Sequence, residues 1–399
     1  MNKYVKQALD ALSERFKQID DIALFNQNKV LDAFIKNRIA LRHFAPTSGY
    51  GYDDVGRDTL NRLFSDVFNT EDGIVSPLIA SGTHALSIAL FGLLRPGQTL
   101  LCASGRPYDT LNDVIFGDGI GSLKDFGIKC VIVPLKDGKP DIAAIKTAVK
   151  EHKPSVFMVQ RSRGYDMRPA LTVSQINELA VLANKNCCVM VDNCYGEFTE
   201  KEEPTVDVLV GSLIKNPGGG LAPTGGYICG KKSAIEQIES RFTAPSIGRE
   251  VGSYAGDYRP FYQGLFTAPH TTAQSVKTAL LFSCIFSSLG YKTLPAITDN
   301  VDDIICSIAF CDEKKLIEFC KTVQSVSPVD SFATPEPWDM PGYNDKIIMA
   351  AGAFVQGSSI ELSCDAPIRP PYIAYLQGGL TFEHGIIAAE RCLDALGIK

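Results

Sequence analysis

Between residues 74 and 230 the chain repeats one unit, a short run of apolar residues without polar alternation followed by a segment of helical spacing. The apolar runs cover 74–80, 99–103, 130–134, 155–160, 188–192, 206–214 and 226–230, with helical segments at 83–94, 141–152 and 172–184. Strands apolar on both faces belong to a sheet covered on both sides, and strand–helix alternation makes most neighbours parallel. The pattern predicts an α/β fold built on a mostly parallel seven-stranded sheet. Ligands of such sheets sit beyond the carboxyl ends of the strands, where Ser81, Asp192 and Lys215 all fall.

The flanking regions are less regular. Val5, Leu9, Leu12, Phe16 and Ile19 recur at steps of three and four, so residues 1–20 read as an amphipathic helix. A second helix is expected over 28–43 with Val30, Phe34 and Ile35 inward, then a loop over 43–54 and a helix through Leu60, Leu63 and Phe64. Past residue 265 we expect a helix over 271–289, strands near 347–355 and 358–363, and a closing helix over 382–396. The reading divides the chain into an N-terminal helical segment (1–50), a large α/β domain (51–265) and a smaller C-terminal α+β domain (266–399).

Composition removes several function classes. A net charge of −6 with no long basic run argues against nucleic acid or an anionic membrane as partner. No apolar stretch approaches the length of a membrane span, and the charges among the first residues do not suit a signal peptide, so a cytoplasmic protein is expected. The 12 cysteines are scattered, mostly in apolar runs, with no CxxC pair and no zinc spacing. They read as buried thiols of a reducing compartment, and no metal site is expected.

Two side chains suggest the chemistry. Val189-Met190-Val191-Asp192 is an apolar strand ending in a carboxylate, and Ser212-Leu213-Ile214-Lys215 is the end of the next strand, running into Asn216-Pro217-Gly218-Gly219-Gly220. Pyridoxal phosphate needs an amine that condenses with its aldehyde and a carboxylate that keeps its ring nitrogen protonated. A lysine ahead of the glycines, instead of behind them, does not fit a P-loop. Alone, Lys215 reads as a solvated side chain, and Asp192 fits a cap on the following turn and an ion pair with a ring nitrogen about equally; together they favour the cofactor. Ser81-Gly82-Thr83-His84 opens a helix whose first amides suit a phosphate, although taken alone an ordinary Ser/Thr cap is the better reading. Gly117-Asp118-Gly119-Ile120-Gly121 follows no strand and reads as a loop.

These stretches, with Gln160-Arg161-Ser162-Arg163-Gly164-Tyr165, Val191-Asp192-Asn193-Cys194-Tyr195-Gly196-Glu197-Phe198 and Ile368-Arg369-Pro370-Pro371-Tyr372, resemble fold type I of the pyridoxal-phosphate enzymes, the aspartate aminotransferase superfamily. The closer resemblance, over nearly the whole chain, is to the aluminium-resistance or methionine γ-lyase family, related to the cystathionine lyases. It implies that Lys215 holds the cofactor and moves the Cα proton, that Asp192 pairs with the ring nitrogen, and that Ser81, Gly82, Thr83 and Ser212 surround the phosphate. It implies ring stacking by Tyr108, with His84 as the rival, and a proton from Tyr108 to the leaving group. Tyr52 and Arg57 resemble a segment reaching a neighbouring subunit's phosphate, which implies a homodimer or homotetramer. Arg369 is the first candidate for the substrate carboxylate, with Arg161 and Arg163 as competitors.

The sequence departs from cystathionine-type lyases on both sides of the lysine, with Ile214 where they carry Thr and Asn216-Pro217 where they continue with an aromatic or apolar residue. Substrate choice is therefore not carried over. The expected function is a carbon–sulfur lyase acting on a sulfur-containing amino acid, methionine or cystathionine first, and giving a keto acid, ammonia and a thiol. An aminotransferase on the same scaffold and a non-catalytic α/β binding module are the alternatives. No residue cluster resembles an aluminium site, so that part of the family name reads as a phenotype.

Overall fold

The computed structural model describes residues 1–340 and 345–399. The strand–helix units form as the pattern predicts: β1 (Asp72–Ser76), β2 (Thr99–Cys102), β3 (Lys129–Ile132), a short hairpin of β4 (Leu135–Lys136) and β5 (Lys139–Pro140), β6 (Val156–Gln160), β7 (Cys188–Asp192), β8 (Val208–Ser212) and β9 (Gly226–Gly230). All but the hairpin join one seven-stranded sheet in the order β1-β9-β8-β7-β6-β2-β3. Pairing is parallel from β3 to β8, and β9 alone runs antiparallel to its two neighbours, β8 and β1.

Strand alternation explains why both faces are apolar. In β6, Phe157 and Val159 join the core on one side of the sheet, while Val156 and Met158 join the core on the other. The first side is covered by helices α2 (Ser13–Lys36), α3 (Val55–Val67), α6 (Ile142–His152) and α7 (Val173–Ala180); the second by α4 (Gly82–Leu93), α5 (Asp109–Phe116) and α8 (Lys232–Ile238). Leu60, Leu63 and Phe64 of α3 are buried as expected.

The N-terminus differs from the expectation. The first helix, α1 (Lys3–Ala11), stops at Leu12, and α2 then runs unbroken to Lys36, where a 28–43 helix was expected. Arg38 lies in the left-handed region (φ 50°) and ends the helix, and only a short 3-10 turn, Leu41–Phe44, follows. Val30 is buried, but Ile35 points outward.

Helix α9 (Arg259–Ser288) begins twelve residues before the expected one, carries Pro269 within it, and leads to a second sheet. That sheet contains β10 (Lys292–Leu294), β11 (Ile305–Ala309), β12 (Ile347–Ala350), β13 (Ser363–Pro367) and β14 (Ile373–Gln377) in the order β10-β11-β14-β13-β12, entirely antiparallel. The strand expected at 358–363 lies further along, because Ser359 and Glu361 are spent on a turn: the Glu361 carboxylate accepts from the amides of Phe354 and Val355. Helices α10 (Glu313–Ser325) and α11 (Phe382–Ala395), with α1 and α9, cover this sheet's own core. All 12 cysteines are free thiols, most of them buried. Among the described residues no helix is long and apolar enough to cross a membrane.

Candidate active site

A cavity of about 280 Å³ opens where the carboxyl ends of β6, β7 and β8 face the second sheet. Asp192, Tyr195 and Lys215 form its floor, Tyr108 and Arg163 line it from the large sheet, and Asp365, Arg369, Tyr375 and Gln377 line it from the other side. The sequence candidates Lys215, Asp192, Tyr108, Arg163 and Arg369 therefore share one space.

Asp192 is the last residue of β7, level with Gln160 of β6 and Val210 of β8. It is buried, and its Oδ1 accepts the Cys194 amide at 3.2 Å, so the turn-capping role is real. Burial raises the pKa of the carboxyl, and the charge of Lys215 opposes the rise. Burial also works against the Lys215 ammonium, but the acidic groups around it, Cys194, Tyr195 and Asp192, outweigh burial and leave its pKa above the ordinary lysine value. The Lys215 Nζ lies 3.9 Å from the centroid of the Tyr195 ring. Tyr195 takes the left-handed backbone (φ 69°), uncommon for an aromatic residue, and its hydroxyl donates to the Ser358 carbonyl at 3.4 Å.

The glycines after Lys215 serve packing. Asn216–Gly218 forms a 3-10 turn against α9, where an added Cβ on Gly218 would lie 1.7 Å from the Leu213 carbonyl and one on Gly264 would lie 2.3 Å from the Gly218 carbonyl. Backbone meets backbone here, so the lysine loop is clamped onto the long helix.

The first turn of α4 faces the same floor. A Cβ on Gly82 would come 3.2 Å from the Ser212 Cβ and 3.5 Å from the Cys194 Sγ, which places Gly82, Ser212 and Cys194 side by side. Ser81 is committed locally, its Oγ accepting the His84 amide at 3.1 Å. Thr83 Oγ1 lies 2.8 Å from the Tyr108 hydroxyl and 3.2 Å from Thr110 Oγ1. The Tyr108 amide donates to Gln160 Oε1 at 2.9 Å, so the last residue of β6 holds the backbone that carries this cavity-lining ring. His84 is exposed with its Nδ1 accepting the Ala80 amide, and it does not line the cavity.

The three arginines separate. Arg161 is wholly buried behind the floor, donating to Asn193 Oδ1, Glu203, Thr199 and Glu200, and it does not line the cavity. Two carboxylates hold both terminal nitrogens behind the floor, away from the cavity, which removes Arg161 from the substrate candidates. Arg369 is half exposed and donates to Asp345 at 2.7 Å. Arg163 is buried and held by Asp303, Nε to Oδ2 at 3.2 Å and Nη2 to Oδ1 at 3.0 Å, while its Nη1 has no hydrogen-bond partner among the described residues. Tyr52 is exposed against Tyr50, and Arg57 is buried, donating to the Gly51 carbonyl and to Asp58; neither lines the cavity.

Sequence reading missed Tyr195, Gln160, Asp303 and Asp365. Only Asp365 carries a plain signal, a carboxylate interrupting the strand Ser363-Cys364-Asp365-Ala366-Pro367.

The residues fit pyridoxal phosphate: a lysine amine, a buried carboxylate with a single backbone donor on Oδ1, a tyrosine in the same lining, and a helix start with a hydroxyl alongside. A family model described as methionine gamma-lyase matches residues 1–397. The uncharacterized protein YnbB of Bacillus subtilis (strain 168) is 49% identical over 390 residues, 95% of this chain and 92% of that one. A crystal structure of a carbon-sulfur lyase involved in aluminum resistance from Clostridium novyi NT superposes with a TM-score of 0.94 at 48% identity, covering 99% of this chain and 95% of that one. The pyridoxal-5'-phosphate dependent protein YhfS of Escherichia coli shares the fold at 16% identity, with a TM-score of 0.64 and 95% and 97% coverage.

Proposed function

The chain belongs to the methionine gamma-lyase family and is a pyridoxal-phosphate-dependent lyase of the carbon–sulfur class, and from that premise we propose that it eliminates a thiol from a sulfur-containing amino acid. The observation that carries the reading is the meeting of Lys215, Asp192 and Tyr108 in one cavity beside an unspent arginine donor.

Lys215 and Asp192 would hold the cofactor from the floor, with Tyr108 on the ring and the amides of Gly82 and Thr83 and the Ser212 hydroxyl at the phosphate. When bound, pyridoxal phosphate supplies an electron sink for charge developing at Cα. Asp192 sustains that capacity by presenting its carboxylate to the ring nitrogen. Lys215 takes the Cα proton, from a position fixed by the Tyr195 ring below and the clamped loop behind. Arg163 receives the substrate carboxylate on Nη1, with Asp303 orienting the guanidinium; Arg369, tied to Asp345 at the rim, is the alternative. The Tyr108 hydroxyl, whose pKa burial raises, stays protonated and can hand its proton to the departing sulfur, with Thr83 as its hydrogen-bond partner.

Methionine and cystathionine are the first substrates to offer, the products being a keto acid, ammonia and a thiol. Tyr52 and Arg57 are assigned to the site of a second subunit, and the active unit to a homodimer or homotetramer. The test is a visible spectrum of the purified holoprotein followed by assay of thiol and keto-acid release. A cofactor band and thiol release that are both lost in Lys215→Ala sustain the reading. Turnover that requires an added keto acid and frees no ammonia would replace it with transamination.

A further inference from the structure

A second cavity, of about 630 Å³, lies between α2, the start of α7, α9 and the segment ahead of β11. Among the described residues it shares no lining with the cavity around Lys215. Ile22, Phe198, Val276 and Val301 give it an apolar wall, and the carboxylates of Glu200, Glu202 and Asp302 line it beside them. Two contacts set it back to back with the active site. Glu200 accepts from Arg161 at 3.0 Å, and Asp302 is followed in the chain by Asp303, the acid that holds Arg163.

Asp302 is the group this cavity leaves unanswered. It is only 8% exposed, and its carboxylate has no hydrogen bond or ion pair among the described residues. Burial and the charge of Glu200 push the carboxyl up to about 7; Asp303 adds to the rise, and Arg161 and Arg163 oppose it. Both arginines are bonded to other acids. The basic residues of the lining are also engaged elsewhere: Arg15 Nη2 donates to the Asp299 carbonyl at 2.7 Å, and the Lys201 ammonium lies 5.5 Å from the centroid of the Phe25 ring. A buried carboxylate left unpaired is costly, and in an apolar cavity it marks the place where a ligand group completes the pairing.

We propose that this cavity is a second ligand site, separate from the Lys215 site, and that it takes a small organic cation. Asp302 receives the ammonium group, and the wall of Ile22, Phe198, Val276 and Val301 receives the apolar frame that carries it. Glu202, exposed on the same lining, favours the approach of positive charge. Arg15 Nε, buried without a partner among the described residues, is a donor for an oxygen on the ligand. A cation seated on Asp302 stands one residue from the acid that orients Arg163.

The probe is N,N-dimethylisoamylamine, a tertiary amine that cannot condense with the cofactor aldehyde. It is titrated into the holoprotein by calorimetry beside isoamyl alcohol, its neutral counterpart, and both are titrated into Asp302→Asn. The expected result is that the cation binds the wild-type protein at least about tenfold tighter than the alcohol and leaves the visible cofactor band unmoved. Asp302→Asn should cost the cation about that tenfold and leave the alcohol unchanged. No binding of the cation, equal affinity for the two compounds, or an undiminished affinity in the variant would overturn the proposal. So would displacement of the probe by L-norleucine, which would place the probe in the Lys215 cavity. The wild-type comparison needs no variant to fold. None of these readouts uses turnover, so the site stands or falls apart from the lyase reading.

Discussion

The Lys215 ammonium lies over the Tyr195 ring, 3.9 Å from its centroid, and the ring is held there by a left-handed backbone at residue 195. A buried cation–π contact contributes about 1 to 2 kcal/mol, a factor of roughly 5 to 30. Tyr195→Phe keeps the ring and should change turnover by less than about threefold, whereas Tyr195→Leu should lower kcat by about tenfold. Steady-state kinetics of the two variants separate the ring from the hydroxyl.

Asp192→Asn preserves shape and removes the charge. Loss of a preorganised charge of this kind typically costs about 10²-fold or more in kcat. We expect that loss together with weaker cofactor retention, read by dialysis and the visible band. Wild-type retention and activity would remove Asp192 from the site.

Arg163→Lys should raise KM for the amino acid by about tenfold or more with a smaller change in kcat, since a lysine cannot both pair bidentately with Asp303 and present a further donor. Arg369→Ala, at the rim, should move KM less. The reverse order would return the carboxylate to Arg369.

Glu197 is buried behind Lys215, accepts the Tyr227 hydroxyl at 2.7 Å on Oε1, and is pushed by burial up to about 8. Its folded pKa exceeds the ordinary 4.5, so the folded state binds the extra proton, and this group's contribution to stability falls as pH rises from about 4.5 to about 8. Glu197→Gln should flatten that share of the decline and raise Tm by a few degrees at pH 8, with little effect at pH 5. A parallel pH dependence in wild type and variant would show that the carboxyl ionises freely in the fold.

Gly218→Ala drives a methyl group into the Leu213 carbonyl, a backbone atom with nowhere to go. The expected cost is about 3 kcal/mol or more, seen as a large fall in Tm or insoluble protein. An unaffected Tm would mean that the lysine loop is not clamped as described.

The large sheet was legible because each of its strands announces itself locally: an apolar run of strand length between turns specifies β6 or β7 without reference to the rest of the chain. The second sheet was legible only at β12, inside the expected 347–355 run, since its strands are antiparallel and punctuated by serines such as Ser307 and Ser363 whose burial depends on partners far away in sequence. The same division holds in the site. Asp192 and Lys215 stand at strand ends and could be read from their own segments. The different surroundings of Arg161 and Arg163 turn on Glu203 and Asp303, acids distant in the chain that no spacing argument links to them. Helix α2 shows a third limit: where Arg38 turns left-handed, a continuous helical pattern gives no warning of the stop.

Helix α9 spans 30 residues, roughly 45 Å, and belongs to both halves of the molecule. Near its start Gly264 bears on the Lys215 loop, and further along Ser275 donates to the Gly379 carbonyl just past β14. Between those two anchors lies Pro269, which cannot complete the helix's hydrogen-bond ladder. The helix is thus a strut with one weakened rung, and a strut yields first at its weakest point. One element thus fixes the Lys215 loop and the end of β14 to each other, and the register between the two sheets is set along a single helix.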